Sequence, residues 1–321
     1  MQVLRQAEIQ RAFELHGALE LIRQIYRMSA AGTAAISNPA AMSMRGAKDC
    51  NTRFKVKGAV IDELGVAGFR LIGDTDPDRG NDHAYCYLVD PITAAPIALV
   101  EEEWLHGVRT ALTGIVAIEA LRPRDVDTIA LVGTGRIARH IATFLVHAFP
   151  NCTILVASRS AERAASVVRE WSADSEGRLV AEASVSGAVR RAQVVVTVSD
   201  ADERLFTADD LQPGTLVCAM GGRCEFERDV LDRADRFIVD ELDFVCTAGN
   251  VAAWIAAGST SRAAVERRVD ATIGQVLLSD QPRPTASDEV CLAVIQGMAA
   301  CDIGLAKWIY DRTRGTTDAS S

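Results

Sequence analysis

Apolar positions recur every three or four residues from 8 to about 30, the spacing of a helix with one buried face, and predict one or two helices there. Between roughly 53 and 102 the period shortens. The runs VKGAVI, GFRLIG, AYCYLV and PIALV predict strands, separated by DTDPDRGND and DPITAAP, both dense in turn formers. A long helix is predicted over 103–121, ending before Pro123. These features together predict a sheet with flanking helices.

From 127 onward the texture changes. DTIALVG, TILVASR, QVVVTVS, TLVCAMG and DRFIVDE are short, almost continuous apolar runs, as expected of parallel strands covered on both faces. Helical spacing lies between them at 137–149, 161–173 and 184–191, and the alternation predicts a doubly wound α/β domain. The tail, 284–313, is expected to be helical and to pack back on the first domain. A chain of 321 residues accommodates two such domains.

Composition narrows the function classes. Apolar residues make up 49% and charged residues 24%, the balance of a globular chain rather than a disordered or fibrous one. A net charge of −9 argues against a nucleic-acid partner, since phosphate neutralisation needs a basic surface. The eight cysteines are scattered without a CxxC pair and predict buried thiols, neither a disulfide framework nor a metal site. The charged N-terminus lacks a signal-peptide apolar core, and no apolar run is long enough for a membrane span, so a cytoplasmic protein is expected.

The stretch LVGTGRIARHIA carries the first specific chemistry. Gly133, Gly135 and Ala138 follow a predicted strand and open a predicted helix, the context in which GxGxxA binds a dinucleotide. Gly133 permits the turn, Gly135 lets the backbone approach a pyrophosphate, and the helix start offers free N–H groups to its oxygens. Thr134, Arg136 and Ile137 belong to the same loop. At the end of the next strand Ser158, Arg159 and Ser160 stand where an acid would read the ribose hydroxyl of NAD, so NADP(H) is favoured over NAD(H). The alternative is that Arg159 stacks on adenine or faces solvent. Thr197, Ser199 and Met220, at later strand ends, are expected to border the nicotinamide end.

The substrate chemistry must come from elsewhere. Arg45, Arg70 and Arg109 lie in the first domain or at its junction with the second, and a planar guanidinium suits recognition of a carboxylate.

In RTALTG, VGTGRIAR and the closing TASDEVCLAVIQGMAACDIGLAKWIY, the chain resembles the ornithine cyclodeaminase and mu-crystallin family over nearly its whole length. The resemblance implies a Rossmann-type dinucleotide-binding domain, 116–295. It also implies an α+β domain with a mixed sheet, 1–115 plus 296–321, that carries substrate binding and homodimerisation. The active site would lie in the cleft between domains. Arg45 and Arg109 match the family's substrate-carboxylate arginines.

Two positions depart from the family pattern. Arg70 replaces a lysine that assists proton transfer; Lys55 and Lys57 are candidate substitutes but rank below Arg70, lying a full strand earlier. Arg223 stands in AMGGRCEFE where cyclodeaminases carry an aspartate. An arginine does not exchange protons near neutrality, so ornithine cyclodeamination is not expected.

The expected function is therefore that of an NADP(H)-dependent oxidoreductase acting on the carbon–nitrogen bond of an imino or amino acid with more than one acidic group. Arg45 and Arg109 would hold the α-carboxylate, Arg70 would orient the substrate or stabilise charge, and Arg223 would take a second acid. Glu101, Glu102, Asp288 and water are candidate proton donors. The alternatives are NAD-linked oxidative cleavage of an N-(carboxyalkyl) amino acid and a non-catalytic NADP(H)-dependent binding protein.

Overall fold

The computed structural model describes residues 1–45, 53–74, 83–123, 125–172, 175, 177–201, 203–279 and 288–318. The chain forms two compact units, Met1–Thr110 with Gly297–Ser321, and Ala111–Gln296, the boundary falling inside one helix.

The first unit contains β1 (Gln2–Leu4), α1 (Gln6–Ala12), α2 (Leu15–Ala31), β2 (Ala34–Ile36), β3 (Met42–Arg45), β4 (Arg53–Ile61), β5 (Val66–Asp74), β6 (His83–Val89), β7 (Pro96–Glu101) and the start of α3 (Glu103–Leu121). Its seven-stranded sheet runs β1-β7-β6-β5-β4-β2, with β3 also on β4. Only β1 pairs parallel, so the sheet is mixed. Alternation decides its faces: β6 buries Ala84, Cys86 and Leu88 and turns Tyr85 and Tyr87 outward. The inner face is covered by α2 and by α12 (Ala299–Asp318). The apolar face of α2 buries Leu19, Ile22, Ile25 and Tyr26, and Gly32 ends the helix in the left-handed region. The outer face of the sheet presents Met42, Met44, Phe54, Val60 and Phe69, each 37–47% exposed.

The second unit continues with β8 (Thr128–Val132), α4 (Arg136–Ala148), β9 (Thr153–Ala157), α5 (Ala161–Trp171), β10 (Leu179–Ala181), α6 (Val185–Val189), β11 (Val194–Thr197) and β12 (Leu216–Ala219). After these come α7 (Asp229–Arg233), β13 (Arg236–Val239), α8 (Leu242–Val245), α9 (Gly249–Ala256), α10 (Arg262–Arg268), β14 (Ala271–Thr272), α11 (Ile273–Leu278) and β15 (Cys291–Val294). Eight parallel strands run β10-β9-β8-β11-β12-β15-β13-β14. All residues of β11, β12 and β15 are buried, which explains their unbroken apolar runs. The chain leaves β8 toward β9 and β10 on one side and reaches β11 and β12 on the other. This reversal opens a crevice at the carboxyl ends of β8 and β11, the ligand position of doubly wound sheets. The fold is α/β, a Rossmann-type sheet with a second, mixed-sheet unit.

One expectation is corrected. The tail is not helical throughout: Cys291–Val294 is β15, inserted between β12 and β13, and α12 begins only at Ala299. A four-residue apolar run carries no period of its own, so a buried strand and a buried helical turn read alike. The turn segment DTDPDRGND lies, apart from Asp74, outside the described residues.

Candidate active site

At the carboxyl ends of β8, β9 and β11 lies a cavity of about 530 Å³, and Gly133, Thr134, Gly135, Ser158, Arg159 and Ser160 all line it. The two glycines do different things. Gly133 has φ +143°, and a side chain there would run into the Val198 carbonyl, so the turn closes tightly on the end of β11. Gly135 has ordinary φ, −87°, but the space where its Cβ would stand is open. It leaves room for a ligand above the first turn of α4. That helix has no side-chain cap at Gly135, so its leading N–H groups point into the turn, where an anion is stabilised. Arg136 and Ile137 start α4 and do not line the cavity.

The β9 end supplies the cationic rim. Ser160 Oγ caps α5 by accepting from Arg163 N at 3.1 Å, and Ser158 Oγ donates to the Ser160 carbonyl at 2.8 Å. Arg159 reaches across to Glu203 at 3.3 Å, both side chains being more than half exposed. Arg163, one turn into α5, also lines the cavity. A strand-to-helix turn with open space over Gly135 and uncapped N–H groups fits a dinucleotide pyrophosphate, and the cavity's charged lining comprises Arg159 and Arg163 with Asp200 and Glu203.

Thr197 and Ser199 behave differently from expectation. Their hydroxyls donate to one buried carboxylate, Glu225, at 2.5 and 2.8 Å, and Ser199 N and Gly221 N add bonds at 2.6 and 3.2 Å. Thr197 is fully buried, whereas Ser199 lines the cavity. Glu225 thereby ties the ends of β11 and β12 together and fixes the cavity floor. Burial pushes its carboxyl up to about 7, although the four hydrogen bonds pull the other way. Met220 is buried against Gly114 and does not line the cavity.

The first unit holds a second constellation. Lys57, Arg70, Cys86 and Val100 stand opposite one another in one row across β4, β5, β6 and β7 on the inner face of the sheet. Arg70 Nε donates to Glu102, and Arg70 Nη1 lies 3.7 Å from Asp302 of α12. Arg109 Nε donates to the same Asp302 oxygen, and Lys57 Nζ donates to the Gly297 carbonyl at 2.5 Å. Gly297, at φ +90°, has no side chain because the Arg109 guanidinium occupies that space. All five charged side chains are at most 3% exposed.

The electrostatics of the cluster sort its members. Burial opposes ionisation of Asp302, but Arg109, Arg70 and Lys57 outweigh it and hold the carboxyl below its usual range. For Glu102 burial wins over Arg70, and its carboxyl is raised. Burial works against the charge on Arg70, yet Glu102 and Asp302 hold it above its ordinary value. Three cations thus meet two carboxylates, one of them resisting ionisation. Arg70 Nη2 and Arg109 Nη1, and likewise Glu102 Oε1 and Asp302 Oδ2, have no hydrogen-bond partner among the described residues, so the cluster keeps both donors and acceptors unsatisfied. Buried guanidinium N–H groups left without an acceptor are costly, and a carboxylate ligand would satisfy them.

The expected residues separate accordingly. Arg70 and Arg109 come together with Glu102, while Glu101 turns away to the sheet edge and pairs with Arg5 at 2.6 Å. Asp288 is exposed beyond the cluster's elements, and Arg223 is exposed on the loop after β12. Arg45 ends β3 opposite Arg53, but the role expected of its side chain lies outside the described residues. Lys57, a strand earlier in sequence, is the direct cross-strand partner of Arg70. Asp302, Glu225 and Arg163 were missed. Asp302 had a readable signal, an acid inside the apolar face of the last helix.

The chain belongs to the ornithine cyclodeaminase/mu-crystallin family, whose profile matches residues 1–317. It is 25% identical over 268 residues to the N-((2S)-2-amino-2-carboxyethyl)-L-glutamate dehydrogenase of Staphylococcus aureus, covering 79% of this chain and 78% of that one. The fold matches an archaeal alanine dehydrogenase dimer with bound NAD at TM-score 0.87 and 20% identity, over 99% of this chain and 97% of the other. It also matches Thermococcus litoralis Δ(1)-pyrroline-2-carboxylate reductase in complex with NADH and L-proline, at TM-score 0.85 and 17% identity, over 99% and 98%. Among the described residues no helix is long and apolar enough to cross a membrane, and no cluster of metal-binding side chains occurs.

Proposed function

We propose that this chain is an NADP(H)-preferring oxidoreductase that acts on the carbon–nitrogen bond of a small imino or amino acid. The observation that carries the reading is the buried cluster, with two guanidinium N–H groups lacking acceptors and more cationic than anionic side chains. That arrangement suits an α-carboxylate. The second unit's cavity suits the nucleotide, which when bound supplies or accepts the hydride exchanged with the α-carbon.

In this reading Arg109 and Arg70 hold the substrate carboxylate, with Arg45 as a further carboxylate ligand. Asp302 aims both guanidinium groups, and Glu102 fixes Arg70 from its other side, so their orientation is set before substrate arrives. Gly133, Thr134 and Gly135 cradle the pyrophosphate. Ser158, Arg159 and Ser160, joined by Arg163, favour a 2′-phosphate. Arg136 and Ile137 start the helix that faces the phosphates, while Thr197, Ser199 and Met220 shape the nicotinamide end, Thr197 acting through Glu225.

Because Glu102 and Asp302 already compensate part of the cluster's charge, it serves one carboxylate. A second acidic group of the substrate would be met by Arg223. An arginine at that position also argues against ornithine cyclodeamination. The protein is proposed to act as a homodimer through the outer face of the seven-stranded sheet, where Met42, Met44, Phe54, Val60 and Phe69 make an apolar surface.

Turnover separates this reading from its rivals. The full chain is assayed with NADPH and NADH against Δ(1)-pyrroline-2-carboxylate and a linear dicarboxylic imine made from oxaloacetate and ammonia. Oxidation of an N-(carboxyalkyl) amino acid with NAD⁺ is followed in parallel. Faster NADPH-linked reduction, strongest with the dicarboxylic imine, is expected. Exclusive NAD⁺-linked cleavage favours the oxidative alternative, and tight nucleotide binding without any turnover favours a non-catalytic binder.

A further inference from the structure

The cluster in the first unit contains more cations than carboxylate binding requires, and they are chemically unequal. Reduction of a C=N bond places a hydride on carbon; the π pair then moves to nitrogen, which takes a proton. Arg70 and Arg109 cannot deliver it, because a guanidinium stays protonated across the working pH range. Asp302 is held ionised by Arg109, Arg70 and Lys57. The Cys86 thiol is pushed far up by burial and keeps its proton. Glu102 gives one oxygen to Arg70 Nε and its other oxygen has no partner among the described residues, which makes it the rival donor that an unchanged kcat in Lys57→Arg would identify.

We propose that Lys57 is the proton donor of the reaction, and that Lys57 and Arg70 form a divided pair in which one cation exchanges a proton and the other remains a fixed charge. This inference rests on the reading that the chain acts on an imino acid. Its geometric basis is the ladder between β4 and β5. Lys57 is directly opposite Arg70 in an antiparallel pair, both side chains point to the inner face, and neither exceeds 3% exposure. Directly opposed residues have their Cβ atoms within about 5.5 Å, so the two side chains enter one space.

The surroundings of Lys57 fix where its ammonium stands. The Gly297 carbonyl anchors Nζ at 2.5 Å, the Asp302 carboxylate attracts it, and Arg70 is set directly opposite on the next strand. In the reductive direction the imine nitrogen takes the proton from Lys57 Nζ as the carbon receives hydride. The nicotinamide is left oxidised and Lys57 neutral, and water restores its proton. In the oxidative direction neutral Lys57 accepts that proton.

The pairing provides its own test: exchange the two residues. Full-length wild type, Lys57→Arg, Lys57→Gln and the exchanged Lys57→Arg/Arg70→Lys protein are compared for kcat and KM with Δ(1)-pyrroline-2-carboxylate between pH 5.5 and 9.5. Nucleotide affinity and thermal midpoint are measured alongside. Lys57→Arg is expected to lower kcat at least about 100-fold and remove the pH limb that belongs to the donor, with nucleotide affinity unchanged. The exchanged protein should recover at least tenfold over Lys57→Arg, because a lysine again faces the same space.

A Lys57→Arg protein with kcat within threefold of wild type and the same pH profile overturns the proposal, as does a change confined to KM. If Lys57→Arg does not fold, Lys57→Gln and the exchanged protein decide the same question. Wild type that binds nucleotide but turns over no imine defeats the proposed function itself, and this assignment with it.

Discussion

Arg109 and Asp302 meet inside the first unit, on two different helices, with each side chain at most 2% exposed and Arg109 Nε donating to the Asp302 carboxylate. The same carboxylate also faces Arg70, so one acid orients two cations. A fixed pair of guanidinium groups presents its remaining N–H bonds to a ligand without reorganisation, which is why the acid matters to binding as well as to folding.

Replacing Asp302 by Asn keeps the shape and removes the charge. It leaves two buried guanidinium groups uncompensated, and breaking a buried pair from one side costs about 3–5 kcal/mol. The expected result in urea unfolding is a loss of that order. A paired Arg109→Met/Asp302→Leu replacement should recover much of the stability while abolishing carboxylate binding. Equal stability of Asp302→Asn and wild type would contradict the role given to this pair.

The two glycines of the dinucleotide turn should fail in different ways. Gly133→Ala strains a positive-φ position and collides with the Val198 carbonyl, so it is expected to destabilise the second unit by about 1–3 kcal/mol and to weaken NADPH binding. Gly135→Ala meets no protein atom and should leave the thermal midpoint unchanged. Its methyl group occupies the ligand's space, so the dissociation constant for NADPH should rise at least tenfold. Nicotinamide fluorescence beside a melting curve separates the two.

The cationic rim predicts nucleotide choice. Arg159→Ala and Arg163→Ala should each weaken NADPH binding about tenfold and NADH binding little, because the lost charge-assisted hydrogen bonds are made to the 2′-phosphate alone. Arg159 is tied only loosely, to exposed Glu203, and is available to change partner. Titration of both nucleotides at fixed salt checks this; parallel losses for NADH and NADPH would return Arg159 to the adenine-stacking role.

The legibility of these parts in the sequence followed the range of their interactions. The dinucleotide turn was readable because strand, turn and helix are adjacent in the chain, and each small residue answers a local demand. β15 was misread because its identity as a strand depends on β12 and β13, many residues earlier. The pairing of Lys57 with Arg70 is hidden in the sequence for a similar reason. Sequence distance places it thirteen positions before Arg70 (70 minus 57), while an antiparallel register places it opposite. Glu225 sits in CEFE without any motif, and only the convergence of Thr197, Ser199 and Gly221 gives it a role.

The outer face of the first unit's sheet predicts assembly. Val60→Asp places a charge on the apolar outer face near Phe69, toward the end of β4 opposite to Phe54 and Met44, yet its side chain faces away from the buried cluster. The variant should fold and should sediment as a monomer where wild type sediments as a dimer. Unchanged sedimentation of the two proteins would remove this face from the proposed interface.

Glu225 makes the stability of the second unit depend on pH. Its folded carboxyl is raised to about 7 from an ordinary 4.5, burial outweighing the bonds it accepts, so between those values the folded chain binds a proton that the unfolded chain has lost. The sign follows: this contribution to stability is fully present below about pH 4.5 and is lost as pH rises toward 7. The difference of 7 and 4.5 corresponds to at most about 3.5 kcal/mol, at about 1.4 kcal/mol for each pH unit. Glu225→Gln cannot titrate, and its amide still accepts from Ser199, though the amide nitrogen then faces Gly221 N–H as donor against donor. The variant should therefore be less stable than wild type near pH 5, with the gap narrowing as pH approaches 8. Denaturant melts at both pH values measure it, and a gap that widens with pH would mean that the four hydrogen bonds keep Glu225 ionised after all.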